Sequence, residues 1–402
     1  MKASKDHGNF FTSNFGLSND PIPIEPYFSS EWFKREREKV FKRSWVCVGR
    51  EENIGEPGDY LVRDIPILNA SALVTRAADR KVRAFYNVCQ HRGNLVAQTA
   101  CGHKRSRFTC NFHGWSYDLH GRLVQVPDEK VFYNIDRDQH ALKPLHCGVW
   151  NGFIFVSPDP ARPLEEEFAD LGKLVDGYDF ALPVVGSYTA EVKGNWKVFL
   201  DAFQEAYHVI ALHATTVRPT FAGSDNPFAH LTSARIFDRN RSISVYGNPD
   251  HRMRPSETLA FKLGVASTYT PDMEKNAALS AAGLNPEGDK NWAFDINIMF
   301  PNMELLMGVG WYAQMQFWPV APDHTHYEVR IYMKAPRDAG DAISQEFNKV
   351  MLYDVLLEDL YTIENTQAVL KARADGNFIF GDHEVACRHN YEVVSQMVET
   401  RS

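Results

Sequence analysis

At 402 residues, with 44% hydrophobic and 23% charged side chains, the chain has the composition of a globular protein with roughly two or three cored domains. Its formal net charge of −8, from 43 Lys and Arg against 51 Asp and Glu, argues against a nucleic-acid-binding surface, which needs a cationic excess. No apolar run approaches the ~20 residues of a membrane span, the opening MKASKDHGNFF lacks a signal-peptide core, and six cysteines are too sparse for a disulfide scaffold, so the expected location is the cytoplasm.

In chain order, residues 30–45 predict an amphipathic helix, with Trp32, Val40 and Phe41 at helical spacing and Ser29 or Ser30 as its cap. From Val46 to about Ser157 the texture changes to short β-rich pieces: DYLVRDIPILNA, ALVTR, VRAFYNV, RFTCNF, GRLVQV and GVWNGFIFVS. Gly, Asn and Asp turn signals divide them, which predicts a small antiparallel β domain. DPARPLEEEFADL reads as a linker and helix start. Beyond it, long alternating strands (SYTAEVKG, ARIFDRNRSISVYG, WAFDINIMFP, WYAQMQFWPVAP, THYEVRIYMKAP) mix with two substantial helices over 195–212 and 339–372. Strands and helices set apart in this way indicate an α+β domain with an antiparallel sheet. Residues 247–290, rich in Pro, Gly, Asn and Asp, read as a mobile cap or entrance segment.

The first chemical signal is CQH at 89–91 and CNFH at 110–113. Two thiolates and two imidazoles can hold structural zinc, but zinc fingers usually pair Cys with Cys and His with His. Here each loop gives one of each. That arrangement suits a Rieske [2Fe–2S] centre, with two thiolates on one iron and two imidazoles on the other. Gly93 and Gly114 allow tight turns beside the cluster. Cys101 and His103, between the loops, read as a turn thiol and a surface histidine.

The second signal is DAFQEAYHVIALH at 201–213. On an ideal helix Asp201, Glu205 and His208 fall within roughly 60° of one another, while His213 lies about 140° round from His208. Both rings reach one ion only if the helix distorts or ends near Ala211. Which carboxylate serves such an ion, the stretch itself leaves open. HEVAC at 383–387 is only superficially like HExxH, since its fifth residue is Cys.

Taken together, CQHRG, CNFHGWSYDLHGRL, NWKVFLDAFQEAYHVIALH and LEDLYTIENTQ resemble, in order and approximate distance, the catalytic α subunits of Rieske non-haem iron oxygenases, the ring-hydroxylating family. The resemblance covers nearly the whole chain. It implies an antiparallel β Rieske domain over 46–157, and a helix-grip (START/Bet v 1-like) catalytic domain from 1–45 and 158–402. It implies that Cys89, His91, Cys110 and His113 hold the cluster, and that His208, His213 and Asp359 hold a mononuclear Fe(II). Glu358 and Asp354 are the neighbours that a small misalignment of the late motif would select instead. Glu205 occupies the place of the family's bridging carboxylate, usually Asp, which bonds the outer nitrogen of His208 and reaches a Rieske histidine, here His113, of the neighbouring subunit in a head-to-tail homotrimer. With the two local carboxylates freed from iron binding, the spacing of the histidines predicts a break or bulge in the helix between His208 and His213. Asp201 stands where many relatives carry Asn, and is expected at the pocket. Asn111 and Phe112 replace the commoner Pro-Tyr, removing a hydroxyl from the cluster's surroundings.

The implied activity is that of a terminal oxygenase. It uses O₂ and electrons from NAD(P)H, passed through a separate reductase and in some systems a ferredoxin, since no dinucleotide fingerprint appears in the chain. The product is a mono- or cis-dihydroxylated aromatic or other hydrophobic small molecule. Expected pocket residues are Asp201, Ala202, Ala206, Val209, Ile210, Asn297, Met299, Phe300 and Leu357, most of them apolar. The alternative is a monooxygenase that demethylates or cleaves a quaternary ammonium or methoxy compound. Trp292, Phe294, Phe300 and Trp311 are the aromatics available for a cation cage. A Rieske electron carrier without catalysis is the competing class.

Overall fold

In the computed structural model, residues 11–264, 282–373 and 376–400 are described. The chain divides into two compact units: Arg37–Glu167, and a second formed by Met1–Glu36 together with Phe168–Ser402. The mobile segment expected at 247–290 falls partly outside the described residues; its first part includes a short helix, Pro255–Leu263.

The expected N-terminal helix, α1, spans Ser30–Lys39 and is capped by Ser29, whose hydroxyl accepts from Trp32 N at 3.2 Å. The sheets of unit Arg37–Glu167 are antiparallel throughout. Strands β1 (Val46–Arg50), β2 (Tyr60–Ile65), β3 (Ala70–Arg76), β4 (Val82–Tyr86), β5 (Cys101–Gly102), β9 (Pro144–Trp150) and β10 (Phe153–Ser157) form one sheet. Its order is β1-β10-β9-β4-β3-β2-β5. A second sheet of β6 (Arg107–Thr109), β7 (Ser116–Asp118) and β8 (Leu123–Gln125) carries the second cysteine loop. Between the sheets lies a core that includes Phe85, Phe108, Trp115, Tyr117 and Leu142, with both Cys89 and Cys110 inside it.

The other unit is built on a seven-stranded antiparallel sheet. Its strands are β11 (Val184–Val192), β12 (Ser233–Phe237), β13 (Asn240–Tyr246), β14 (Trp292–Met299), β15 (Met303–Gly308), β16 (Trp311–Ala321) and β17 (His324–Met333). The order is β11-β17-β16-β15-β14-β13-β12. Helix α2 (Trp196–Phe203) stacks Phe199 and Phe203 on Phe317 and Tyr327 of the sheet, with centroids 4.6–6.0 Å apart. The long helix α3 (Ala339–Leu370) buries Leu352, Leu356, Asp359, Ile363, Gln367 and Leu370, one residue every three or four. Asp359 therefore faces inward because of its place in that stripe. Helix α4 (Val385–Glu399) packs beside α2, where Cys387 Sγ lies 3.4 Å from Asp201 O.

Two further polar members of the late motif, Glu364 and Gln367, are structural. Glu364 accepts from Lys193 N (3.0 Å) and Gln367 from Asn195 N (2.8 Å), so α3 holds the start of α2. Asn195 then caps α2 by accepting from Lys197 N at 3.0 Å. Gln367 also donates to Tyr27 O (3.2 Å), tying in the N-terminal segment. Lys197 and Glu36, both fully buried, pair at 2.6 Å. Asn195 Oδ1 and Trp196 Nε1 satisfy their remaining bonds at 2.8 and 2.9 Å.

This pair generates a stability prediction. Lys197→Met strands the Glu36 carboxylate in the core and is expected to destabilise by about 3–5 kcal/mol. Adding Glu36→Leu should recover most of that loss, as read by denaturant unfolding of single and double variants; additive losses would contradict it.

Candidate functional site

Helix α2 stops at Phe203, well before the expected end at 212, and the short turn that follows ends at Ile210, so one break precedes Glu205 and a second falls between His208 and His213 as expected. The cause is local. Gln204 turns inward, donating to Asp201 Oδ1 and accepting from Arg241 Nε, both at 2.7 Å. Glu205 then accepts from the backbone N–H groups of Tyr207 and His208, starting a separate 3₁₀ turn over Tyr207–Ile210. The same carboxylate binds Nδ1 of His208. Two further turns bring His213 back, and its Nδ1 meets Glu358 Oε2 at 2.5 Å.

A carboxylate only accepts, so each Nδ1 carries the proton and each Nε2 presents a lone pair. The two Nε2 atoms lie 3.2 Å apart, and Asp359 Oδ1 lies 3.6 Å from that of His208 and 3.2 Å from that of His213. Asp359 Oδ1 is buried with no hydrogen-bond partner among the described residues. With both rings neutral, three acceptor atoms converge, and a proton on Nε2 or a metal cation must sit among them to relieve their repulsion. Two imidazoles and one carboxylate are the facial donor set of non-haem Fe(II). Burial pulls the His208 pKa down, but Glu205, then Asp359 and Glu384, outweigh it and hold it at about 9. The field at this point favours positive charge.

Glu358, named in the sequence only as a rival ligand, backs His213 as Glu205 backs His208, and Thr216 Oγ1 steadies it at 2.8 Å. No spacing rule signals this, because the contact joins residues far apart in sequence. Asp201 is not among the residues lining the cavity below. Its oxygens accept from Tyr27 (3.1 Å) and Gln204, and burial raises its pKa to about 7 against Tyr27, Arg241, Gln204 and Lys197.

A cavity of about 730 Å³, its open mouth included, adjoins His208, His213 and Asp359. Of the expected pocket residues, Ala202, Ala206 and Val209 line it. Ile210, Asn297, Met299, Phe300 and Leu357 do not. On β14 the lining residues are Phe294 and Ile296, and strand alternation turns Asn297 and Met299 to the opposite face. On α3 they are Met351, Leu352, Val355, Leu356 and Asp359, and one step past Leu356 rotates Leu357 outward to 56% exposure. Of the proposed cage aromatics, Phe294 and Trp311 face the cavity, joined by Phe203 and Phe221, whereas Trp292 Nε1 donates to Asp295 (2.8 Å).

In the other unit the two cysteine loops have the same build. Cys89 O accepts from Gly93 N and Cys110 O from Gly114 N, at 3.0 and 2.9 Å. Both glycines have positive φ, +83° and +77°, and close their turns without strain. Both thiols are buried, and burial pushes Cys89 up in pKa. His91 and His113 sit with ring centroids 4.5 Å apart, His91 stacked on Trp115 at 4.9 Å. Burial lowers the His91 pKa, and its Nδ1 is buried with no hydrogen-bond partner among the described residues. Two thiols and a neutral imidazole nitrogen with nothing else to bond fit a Rieske cluster. Phe112 points outward, 54% exposed; the hydroxyl near sulfur comes instead from Tyr117, 3.5 Å from Cys89 Sγ, which the sequence reading did not single out.

A unit with Rieske-type loops, and a second with a two-histidine, one-carboxylate group over an apolar cavity, define the class of two-centre iron proteins. Two family models match the chain: Rieske [2Fe-2S] domain over residues 44–137, and Ring hydroxylating alpha subunit (catalytic domain) over residues 180–400. The second covers more than half of the chain, which belongs to that family. The carnitine monooxygenase oxygenase subunit of Escherichia coli (strain K12) is 32% identical over 198 residues, 48% of this chain and 52% of that one, so the chain spans about half the length of this curated relative. Naphthalene 1,2-dioxygenase from Rhodococcus sp. bound to indole has a TM-score of 0.73 at 23% identity, covering 94% of each chain. A quaternary ammonium Rieske monooxygenase in complex with gamma-butyrobetaine gives 0.72 at 20%, covering 97% of this chain and 98% of that one. These structural likenesses are likenesses of fold. Among the described residues no helix is long and apolar enough to cross a membrane.

Glu358→Gln tests the carboxylate behind His213. Loss of an orienting partner of this kind is expected to weaken mononuclear iron binding by about 10–100-fold, read by chelator competition, with the visible Rieske spectrum unchanged.

Proposed function

We propose that the protein is a terminal oxygenase. Located in the cytoplasm, it would use O₂ and electrons from NAD(P)H, relayed by a separate reductase with or without a ferredoxin, to mono- or cis-dihydroxylate an aromatic or other hydrophobic small molecule. The observation that carries this reading is the meeting of His208, His213 and Asp359 beside an apolar cavity. In this reading residues 46–157 form the cluster domain, with Cys89, His91, Cys110 and His113 as ligands, and 1–45 with 158–402 form the catalytic domain.

When bound, the mononuclear iron supplies O₂ activation and the cluster supplies electrons singly. The chain's own residues do the rest. Glu205 and Glu358 fix the protons on Nδ1 of the two histidines, so that both Nε2 lone pairs stay directed at the ion. Ala202, Ala206, Val209 and Ile296 keep the cavity apolar and exclude water from the reacting face. Glu205 is also the residue through which His208 meets its surroundings, and in a head-to-tail trimer it bridges to His113 of the next subunit.

The aromatic lining of Phe203, Phe221, Phe294 and Trp311, with the likeness to a carnitine monooxygenase, supports a second reading: oxidation of a quaternary ammonium compound. Of the cavity's carboxylates, Glu205 is committed to His208 and Asp359 is turned to the ion-binding point, which favours the uncharged substrate. An O₂- and NADH-consumption screen with a generic reductase over aromatics, terpenoids or steroids, and methylated amines decides between them. Turnover restricted to methylated amines would reverse the preference.

Metal analysis should give about three irons per chain, two of them with acid-labile sulfide. Asp359→Ala is expected to lose the third iron and keep the cluster spectrum; retention of that iron would move the ligand elsewhere. Glu205→Gln is expected to keep both centres filled while turnover falls at least about a hundredfold. Full activity in that variant would remove the bridge.

A further inference from the structure

The cavity runs beside α3 from Asp359 back to Met351, eight residues or about 12 Å of helix. Its sheet wall includes β16, which begins at Trp311. Six residues on, Phe317 packs on Phe203, two residues before Glu205, with centroids 6.0 Å apart. Six residues of strand span about 20 Å. Trp311 therefore stands at the end of the cavity away from the iron-binding group.

Several contacts fix its indole there. Gly308 and Trp311 face each other across the turn at Val309 and Gly310. A Cβ added to Gly308 would lie 2.2 Å from Trp311 Nε1 and 2.5 Å from Cε2, so the ring rests on bare backbone that no other residue would leave free. Tyr178 Oη lies 3.0 Å from the Gly308 carbonyl and 2.6 Å from that of Trp311, clamping the turn from behind. The Phe294 ring sits 6.2 Å from the indole at 56°, and the Phe221 ring 5.6 Å from Phe294 at 69°. Trp311 Nε1 is buried with no hydrogen-bond partner among the described residues. Shape, not a polar anchor on the ring, sets the indole's position.

We propose that Trp311, seated on Gly308 and clamped through Tyr178, is the end stop that sets substrate length, and that the substrate is an elongated apolar molecule with a flat ring at that end. The proposal rests on the apolar-substrate reading above and narrows it. A flat ring meets the tilted indole and Phe294 by stacking or edge contact, which a branched aliphatic end cannot match. A molecule too long for the space between the triad and the indole must displace a side chain that has nowhere to go.

The test is binding of naphthalene, phenanthrene and chrysene to the oxidised, iron-loaded protein without reductant, followed by hydrocarbon fluorescence. Trp311→Ala should tighten chrysene relative to naphthalene by about tenfold or more, with Trp311→Phe in between. Gly308→Ala should weaken phenanthrene by a similar factor, because the displaced indole shortens the cavity. Iron content and the Rieske spectrum report whether each variant is folded, and Trp311→Phe serves if Trp311→Ala is not. Unchanged chrysene-to-naphthalene affinity ratios in every variant overturn the end stop alone. Absence of binding by every hydrocarbon to iron-loaded wild type and variants overturns the apolar-substrate reading, and the end stop with it.

Discussion

Three lone pairs aimed at one point are the constraint around which the catalytic unit is organised. The Nε2 atoms of His208 and His213 and Oδ1 of Asp359 approach within 3.2–3.6 Å, a cluster of acceptors that is tolerable only around a proton or a metal cation. Each imidazole is locked in the tautomer that creates its lone pair by a carboxylate behind it, Glu205 for one and Glu358 for the other. Two carboxylates holding two imidazoles towards a third carboxylate make a deep negative well in a buried place. The same well holds the His208 pKa up despite burial.

Bringing that group together requires a helix to end early and another to turn a carboxylate inward. Glu205 achieves the first by taking the N–H groups of Tyr207 and His208, which denies them to a continuing α-helix. The buried stripe of α3 achieves the second, since Leu356, Asp359 and Ile363 share one face. The relative placement of α2 and α3 is then fixed by polar bonds far from the chemistry, from Glu364 and Gln367 to the backbone at Lys193 and Asn195. The conspicuous late motif is thus half chemistry and half carpentry: Asp359 and Glu358 face the site, and Glu364 and Gln367 hold the start of the helix that leads into the histidines.

The cluster unit solves a different problem, presenting two buried sulfurs and two imidazoles from loops of the same geometry. Matched Gly-to-Cys backbone bonds shape each loop, and Trp115 and Tyr117, both buried, lie directly beneath. The hydroxyl near Cys89 belongs to a strand residue, so the missing hydroxyl at position 112 concerns the exposed rim and not the sulfurs.

Residue type and spacing alone named the two Cys–His loops and the pair His208 and His213, while Asp359 came from the resemblance of the late motif. These are side chains whose chemistry needs particular donors in order, and that need survives in one dimension. The antiparallel β texture and the long late helix were equally readable, because alternation and a three-to-four-residue stripe are local periodicities. Tertiary structure decided the rest. It turned Asp201 into a buried network with Tyr27 and Gln204, and it recruited Glu358 across 145 positions to hold His213. It put Phe294 and Ile296, not Asn297 and Met299, on the cavity wall, and laid an indole over Gly308. A sequence states which groups a chain owns and how often they recur. Which way each one faces, and what stands behind it, is settled by strand register and helix packing between residues far apart in the chain.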